Sequence, residues 1–424
     1  MSAEAPLPSF AGAAFLAQPA FRRVVAALAV DGDEVRLVGG SVRDAVLAGV
    51  GHAALQEGDL DLATTATPDV VSARARAAGL KVVPTGIAHG TVTVVVDRRP
   101  FEVTTLRRDV ATDGRHAEVA FGRDWTEDAR RRDFTMNAMS LSPDGVLHDP
   151  VGGHADCLAR RVRFIGVADE RIREDYLRIL RFFRFHARFG SGEPDAEGLH
   201  AVTRNLDGLP RLSAERIAQE MRKLVVAPGA AETLASMAEC GVLDRVLAGV
   251  PRLGRFARFA AICRAGGADV EPSPALVALA VFVAEDAGRL AARLKLSGAE
   301  RERMVAAEAA VRPLSRAGAT ASGDVTADAA AARVLLYRLG AAAWRDGTRL
   351  AWADAGAAAD DAVWHARLTL PDRWPPPRLP VAGRDLLNAG VAPGPEVGRR
   401  LAALEARWIA SDFALTRAEL LAER

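Results

Sequence analysis

The chain has few cysteines and no long apolar segment, and both features exclude classes of protein. Its 424 residues contain three cysteines, Cys157, Cys240 and Cys263, which are too few and too widely spaced for a disulfide framework or a zinc site. A reducing compartment such as the cytoplasm is therefore expected. No run of about eighteen uncharged apolar residues occurs, so we expect no membrane span. The opening MSAEAPLPSF lacks the basic region of a signal peptide.

The chain also lacks an excess of charge of either sign. Its formal net charge is +1, so any nucleic-acid site would depend on local clusters of arginine rather than on global charge. The sequence indicates no protein partner. Its length favours roughly two to four domains.

Residue periodicity divides the chain into a mixed first part and a helical remainder. Up to about residue 150, predicted helices at 20–30, 41–49 and 67–79 alternate with predicted strands at 35–40, 59–64, 91–96 and 101–106. Thr67 is the expected N-cap of the third helix, and a hairpin is expected between the last two strands. After residue 156 the pattern is helical, with a small, polar stretch at 315–328 that predicts a loop or linker.

Two short motifs near the N-terminus suggest phosphoryl-transfer chemistry when they are taken together. GGSVRD (39–44) follows a predicted strand, and its glycines let a backbone approach a triphosphate at a helix N-terminus. Asp59 and Asp61 are two apart on a predicted strand, so they face the same side and can hold Mg²⁺. Either motif alone is more often a tight turn or a solvated strand edge. Their combination about twenty residues apart favours two-metal phosphoryl transfer.

Two arginine-rich motifs follow. The first is RRDFTMN at 131–137, which alone would be a solvated charge run. The second is EDYLRILRFFRFHARFG at 174–190, which predicts one strong helix. Its arginines at 178, 181, 184 and 188 share one face, with Asp175 and Arg178 three residues apart on that side. A carboxylate beside a guanidinium can imitate a base-pairing edge, although an isolated helix would more often carry them as a surface ion pair.

Several motifs in order give the chain a strong resemblance to a known family. LVGGSVRD, DLDLAT, HGTVTV, FEVTTLR, RRDFTMNAM, DPVGG and EDYLRILRFFRF resemble the class II tRNA nucleotidyltransferases (CCA-adding enzymes) and bacterial poly(A) polymerases. The resemblance covers roughly residues 30–225, with a weaker match at 381–401. It implies an α+β fold, in which a mixed-sheet nucleotidyltransferase head precedes an all-α neck, body and tail. We predict the head at 1–150, the neck at 151–228, the body at 229–328 and the tail at 329–424.

The resemblance also implies roles for individual residues of the head. Asp59 and Asp61 would be catalytic and hold Mg²⁺, and Glu102 is a candidate third carboxylate. The residues expected to bind the triphosphate and the sugar are Gly40, Arg43, Arg132, Asp133 and Asn137. His89 and His116 belong to motif regions of the family, but we expect neither to be catalytic.

In the neck, the resemblance implies nucleotide selection. Asp175 and Arg178 would choose CTP or ATP, and Arg181 and Arg184 are further expected nucleotide-binding residues. SAERIAQEMRKLV at 213–225 predicts a helix with Ser213 as N-cap and a supporting role. The remaining helices would bind tRNA. Beyond residue 200 the only histidine is His365, which argues against the phosphohydrolase domain of some relatives.

The expected reaction is successive addition of CMP, CMP and AMP to the 3′ end of tRNA. Poly(A) polymerase activity, or addition of only part of CCA, is the alternative. No Gly-Arg-Arg-Phe-like stretch precedes HGTVTV, which disfavours poly(A) synthesis, and a match to the flexible-loop region at 113–116 disfavours a CC-only enzyme. A non-catalytic RNA-binding protein on the same scaffold is an alternative of another class, which the presence of Asp59 and Asp61 disfavours.

Overall fold

The computed structural model describes residues 6–49, 60–87, 90–112, 117–247, 249–319 and 325–422. The chain divides into two compact units, residues 1–246 and 247–424. Among the described helices, none combines the length and apolar character that crossing a membrane requires.

The first unit is built on a mixed β-sheet. In the described ranges this sheet has seven strands in the order β3-β4-β5-β2-β1-β8-β9, and β6 and β7 form a separate hairpin. The strands are β1 (Val35–Val38), β2 (Leu62–Thr64), β3 (Lys81–Gly86), β4 (Thr91–Val96), β5 (Arg99–Thr105), β6 (Arg107–Thr112), β7 (Ala117–Phe121), β8 (Ser140–Leu141) and β9 (Leu147–His148). Strands β2 and β5 pair in parallel, while the other neighbours pair antiparallel.

The centre of the sheet has one strongly apolar face, and this fixes which side chains reach the other face. Leu62 on β2 lies opposite Leu37 on β1 and beside Val103 on β5, and all three are buried. Because successive residues of a strand point to opposite faces, the residue before Leu62, which is Asp61, points away from this apolar layer. The sheet therefore offers Asp61 to the opposite side.

Helices surround the sheet and complete the first unit. They are α1 (Pro19–Leu28), α2 (Gly40–Ala48), α3 (Pro68–Ala77), α4 (Trp125–Arg130), α5 (Gly153–Leu158), α6 (Ala168–Glu174), α7 (Leu177–Phe189), α8 (Ala196–Arg204), α9 (Ala214–Val225), α10 (Ala230–Glu239) and α11 (Val242–Val246), with 3₁₀ helices at Ala14–Ala17, Thr135–Asn137 and Leu206–Arg211.

Helix α7 is anchored by aromatic packing. The apolar side chains of Leu177, Leu180, Phe183 and Ala187, which lie along one side of the helix, are buried. Phe182 is also fully buried and stacks on the ring of Phe164, with centroids 5.4 Å apart. Burial of these side chains holds the arginine-bearing face of α7 at a fixed position beside the sheet.

The single helix predicted for 174–190 is wrong at its start. Helix α6 ends at Glu174, Asp175 is extended with φ −152° and ψ 106°, and α7 begins only at Leu177. Asp175 and Arg178 therefore do not share a helix face. The Asp175 carboxylate instead accepts a hydrogen bond from the Leu177 backbone N–H at 3.1 Å, which gives α7 a local start that the arginine spacing could not reveal.

The second unit is helical in the residues that the structure describes. Its helices are α12 (Leu253–Ala265), α13 (Pro272–Ala280), α14 (Ala284–Arg293), α15 (Gly298–Ala319), α16 (Val325–Ala355), α17 (Ala362–Leu368), α18 (Leu370–Arg373), α19 (Gly383–Asn388), α20 (Pro395–Ala410) and α21 (Arg417–Ala422). The loop predicted at 315–328 is wrong over much of its length, because α15 continues to Ala319 and α16 begins at Val325. Residues 320–324 lie outside the described ranges.

Most of the other local predictions for the first unit are confirmed, with adjusted boundaries. The hairpin between β4 and β5 turns on two residues, Asp97 and Arg98, which have φ of 50° and 67°. Thr67 occupies the N-cap position of α3 but makes no side-chain capping bond. Strand β3 and the β6–β7 hairpin were not predicted. The strand predicted at 59–64 is described only from Leu62, and Asp59 lies outside the described residues.

Candidate active site

The turn between β1 and α2 brings the backbone, a carboxylate and a helix N-terminus together. Gly39 has φ +72°, a conformation that favours glycine, and α2 begins at the next residue. The Val38 N–H donates to the Asp61 carbonyl at 3.0 Å. An atom placed as a Cβ on Gly39 would lie 3.8 Å from Asp61 Oδ2. Asp61 therefore lies close to the Gly39–Gly40 bend.

Two exposed carboxylates lie on one face of the sheet beside this turn. Asp61 and Glu102 are both exposed, and each comes one residue before the first β2–β5 pair, Leu62 with Val103. Neighbouring residues of paired strands point to the same face, so both carboxylates emerge on the side away from the buried leucines. Within the described ranges, no group of three or more His, Cys, Asp or Glu side chains gathers closely enough to hold a metal.

These carboxylates nevertheless fit a divalent metal ion, since hard cations prefer oxygen ligands and can be held by one or two carboxylates together with substrate phosphates. An exposed carboxylate next to a turn open to phosphate supplies such a donor set. Asp59, the other predicted ligand, lies outside the described residues.

The RRDFTMN motif forms a buried polar network that links α2 to α7. Asn137 accepts a hydrogen bond from Arg43 Nη1 at 2.8 Å and donates to Asp133 Oδ1 at 3.3 Å. Asp133 Oδ2 accepts from Arg181 Nε at 2.8 Å and forms a second bond with Arg181 Nη2. Arg132 bonds Asp128 and the Asn137 carbonyl. The predicted residues of this motif therefore do not form a solvated charge run.

Charge balance keeps this network ionised. Burial acts to raise the pKa of Asp133, but the Arg181 guanidinium and hydrogen bonds from Asn137 and the Phe134 N–H hold that pKa below its usual value. Burial lowers the pKa of Arg43, whose guanidinium lies 3.8 Å from the Phe189 ring centroid and is paired with Asp44. A buried guanidinium with these partners holds its position beside the Gly39–Gly40 turn.

Asp175 and Arg178 lie near each other but bond to different partners. Asp175 Oδ2 accepts from Arg216 Nη2 at 2.7 Å. Arg178 Nη1 donates to the Arg171 carbonyl at 2.6 Å and to Glu174 Oε2 at 2.5 Å. Each side chain is therefore held by its own oppositely charged partner, and the two do not form an ion pair with each other.

One cavity of about 470 Å³ collects these groups within the first unit. Among the predicted nucleotide-binding residues, those that line it are Gly40, Arg43, Arg132, Asp133, Asn137, Asp175, Arg178 and Arg181. Arg184 does not line it, because its side chain pairs with Glu220 of α9. Its buried partner on another helix takes up its charge, and the nucleotide-binding role that the resemblance implies for Arg184 stays a prediction.

Sequence reasoning did not identify three residues that line the cavity, Leu177, Phe185 and Arg216. The 213–225 helix was expected to be supporting, and Ser213 does cap it by accepting from the Arg216 N–H at 3.4 Å. Arg216 and Glu220 are four residues apart and share a face, and both reach charged partners on the α6–α7 segment. That four-residue spacing was the signal in the sequence that could have identified Arg216. Phe185 is four residues after Arg181 and three before Arg188, so its position on the arginine-bearing face of α7 was also a signal.

Comparison with known proteins gives a family match in the same regions. Residues 35–163 match the family model of the poly A polymerase head domain, a range that begins at β1 and includes Arg43, Asp133 and Asn137. Residues 193–253 match a family model described as a probable RNA and SrmB-binding site of polymerase A.

The similarity to individual proteins extends over most of the chain. The mitochondrial CCA tRNA nucleotidyltransferase 1 of Mus musculus is 34% identical, over 93% of this chain and 87% of the relative. A CCA-adding enzyme of Geobacillus thermodenitrificans is 40% identical over 55% of each chain. The crystal structure of the Bacillus stearothermophilus CCA-adding enzyme in complex with CTP has a TM-score of 0.69 and 28% identity, covering 93% of this chain and 94% of that one.

Proposed function

Because the chain belongs to the CCA tRNA nucleotidyltransferase family, we propose that it adds CMP, CMP and AMP in succession to the 3′ end of tRNA, using CTP and ATP. The terminal ribose hydroxyl attacks the α-phosphorus, the bond to the β-phosphate breaks, and pyrophosphate leaves. The observation that carries this proposal is the one cavity where the Gly40 turn and Arg43 meet Asp175 and Arg178. In this proposal one end of the cavity binds the phosphates and the other end reads the base.

The triphosphate is assigned to the end of the cavity formed by α2. Glycine at positions 39 and 40 leaves the backbone N–H groups at the start of α2 accessible to phosphate oxygens. Arg43 Nη2 lies 3.3 Å from where a Gly40 Cβ would be, so its charge stands next to that turn. Arg132, Asp133 and Asn137 line the adjoining wall, where the sugar and phosphates are assigned.

Asp175 and Arg178 are assigned to base selection. Cytosine and adenine both carry an exocyclic amino donor, whereas guanine and uracil carry an oxygen acceptor at that position. A carboxylate accepts from the amino group and repels the oxygen, while a guanidinium donates to the ring acceptors. In the described residues the bonds of Arg178 involve Nη1, so Nη2 is the donor we assign to the base.

Asp61 and Asp59 are assigned as ligands of Mg²⁺, with Glu102 as a third carboxylate. The shared exposed face of Asp61 and Glu102 supports this assignment. When bound, the ions would lower the pKa of the attacking hydroxyl and neutralise the pyrophosphate that leaves. The protein's own contribution is to hold carboxylates beside a turn that accepts phosphate.

We further propose that the predicted regions 1–150, 151–228, 229–328 and 329–424 act as head, neck, body and tail, and that the later helices bind tRNA. Phosphate contacts would make this binding weaken steeply with salt. The cysteines Cys157, Cys240 and Cys263 are free thiols, which supports the proposal of a reducing, cytoplasmic location.

The test is incorporation of labelled nucleotides into a tRNA that ends at its discriminator base. With CTP and ATP together the expected product is longer by CCA, and with CTP alone by two C residues. Long A tails without C would instead identify a poly(A) polymerase, and C-only or A-only products a partial enzyme.

Asp61→Ala separates catalysis from binding in the same assay. We expect the variant to lose incorporation by at least about a hundredfold, because a metal ligand is removed, while its tRNA affinity in filter binding stays close to that of the wild type. Asp97→Ala is the matched control, since Asp97 is an exposed aspartate of the β4–β5 turn. Unchanged turnover in Asp61→Ala would contradict the metal assignment, and loss of tRNA binding would point to a scaffold role.

A further inference from the structure

Tyr176 follows the base-selecting Asp175 and lies in the two-residue break between α6 and α7. Its half-buried ring packs against Gly208 of the 3₁₀ helix Leu206–Arg211. A Cβ on Gly208 would stand 1.8 Å from Tyr176 Cδ1 and 1.9 Å from Cε1. The ring therefore occupies the space that any side chain at position 208 would need.

Glycine at position 208 is required by space and not by backbone conformation. Gly208 is buried and is absent from the residues with positive φ. An alanine is not excluded here by a left-handed backbone, and the three atoms nearest to an added methyl group all belong to the Tyr176 ring. The Arg211 guanidinium lies 5.4 Å from the centroid of the same ring, which further restricts where the ring can move.

The segment that carries Gly208 is itself fixed to α6. Asn205 donates from Nδ2 to Asp169 Oδ1 at 2.8 Å and accepts from Arg173 Nε at 3.2 Å. The Gly208 N–H then donates to the Asn205 carbonyl at 3.1 Å. Gly208 is thus held at a set position relative to the helix that ends just before Asp175.

The same segment continues into α9 and reaches Asp175 itself. Arg216, eight residues after Gly208, bonds the Asp175 carboxylate at 2.7 Å. Residues 205–216 therefore contact Tyr176 through Gly208 and Asp175 through Arg216. In the break between α6 and α7, Tyr176 is therefore held through its ring and Asp175 through its carboxylate.

From this arrangement we propose that Tyr176 and Gly208 are a positioning pair, whose ring-to-backbone contact fixes the direction of the Asp175 carboxylate and so sets nucleotide selectivity. This rests on the proposed function of Asp175. Neither residue lines the cavity, so the pair acts through Asp175 rather than by touching the base. Displacing the ring would rotate the Asp175–Tyr176 backbone and misalign the acceptor that distinguishes an amino group from an oxygen.

The test is Gly208→Ala, read as the ratio of kcat/KM for CTP to that for UTP, and for ATP to that for GTP, on matching tRNA acceptors. We expect both ratios to fall by about tenfold to a hundredfold, since small misplacements of a positioning group have effects of that size. A merely structural defect would reduce the active fraction equally for all four nucleotides and leave the ratios unchanged. Gly12→Ala is the control, because Gly12 has no positive φ and no atom within 4 Å of the added Cβ.

A second variant completes a double-mutant cycle. Tyr176→Ala removes the ring, so it should lower the ratios by itself, and Gly208→Ala should then have no additional effect. Equal effects of Gly208→Ala in both backgrounds would overturn the proposal, as would ratios within about twofold of wild type in Gly208→Ala. If Gly208→Ala does not fold, Tyr176→Ala decides alone, and unchanged ratios overturn the proposal. A wild-type protein that incorporates neither CMP nor AMP would instead refute the proposed function.

Discussion

The ion pair between Asp133 and Arg181 permits a quantitative test of the buried network. We expect Asp133→Asn to lower the free energy of unfolding of the first unit. Asp133 is 9% exposed, and it accepts two hydrogen bonds from Arg181, one of them from Nε at 2.8 Å. Removing one member of a buried pair costs about 3–5 kcal/mol. The Arg181 side chain is 33% exposed, so water solvates part of its unpaired charge, and we expect roughly 2–3 kcal/mol.

Thermal unfolding followed by circular dichroism measures this loss. A domain of this size shifts by about 2–4 °C per kcal/mol, so the expected drop in Tm is about 4–12 °C. Asp97→Asn is the matched control, because it makes the same chemical change in an ion pair with Arg23 whose side chains are 65% and 51% exposed. We expect little change in its Tm, since exposed pairs contribute little.

The stabilisation that Asp133 contributes should change with pH in a defined direction. Burial acts to raise the pKa of Asp133, but Arg181 and the hydrogen bonds hold it below its ordinary value of 3.8. A carboxylate with a lowered folded-state pKa stabilises the fold above its unfolded-state pKa and loses that contribution as the pH falls through its folded-state pKa. The difference in Tm between the wild type and Asp133→Asn should be constant between about pH 6 and 8 and should become smaller below about pH 4. A Tm difference under about 1 °C at pH 7, or a gap that widens in acid, would refute this reasoning.

Three further outcomes are expected, two from the site and one from the buried cysteines. Glu102→Gln should lower kcat at least about tenfold if Glu102 is a third metal-holding carboxylate; a steady-state kcat equal to that of the wild type would exclude this role. Arg216→Ala should raise the KM for CTP and ATP about tenfold because Asp175 Oδ2 loses its 2.7 Å partner, and unaltered KM values would show that Asp175 needs no such support. Burial raises the pKa of Cys157 to about 12 and of Cys263 to about 11. Both thiols should therefore react slowly with a thiol reagent at about pH 8 until guanidinium unfolds the chain. Rapid labelling of both thiols in the folded protein would contradict their burial.

Local signals predicted much of the first unit. Apolar periodicity and the glycine turn located α1, β1 and α2, and alternation located β4 and β5. Prediction failed where a local pattern competed with contacts from elsewhere. The continuous helix expected across Asp175 is interrupted because its carboxylate bonds both the Leu177 N–H and the guanidinium of Arg216, and helical periodicity gives no information about either bond.

The sequence by itself determined which chemical groups the protein carries and in which local frame: the glycine turn, Asp61 in a predicted strand, and arginines along one face of a helix. Tertiary structure decided which of these groups meet. Arg43 bonds Asn137 across 94 residues, Arg181 bonds Asp133 across 48, and Arg216 bonds Asp175 across 41. Periodicity reports only on neighbours within a helix turn or a strand pair. Folding therefore determined that Arg181 lines the cavity and that Arg184, three residues later, is neutralised by Glu220.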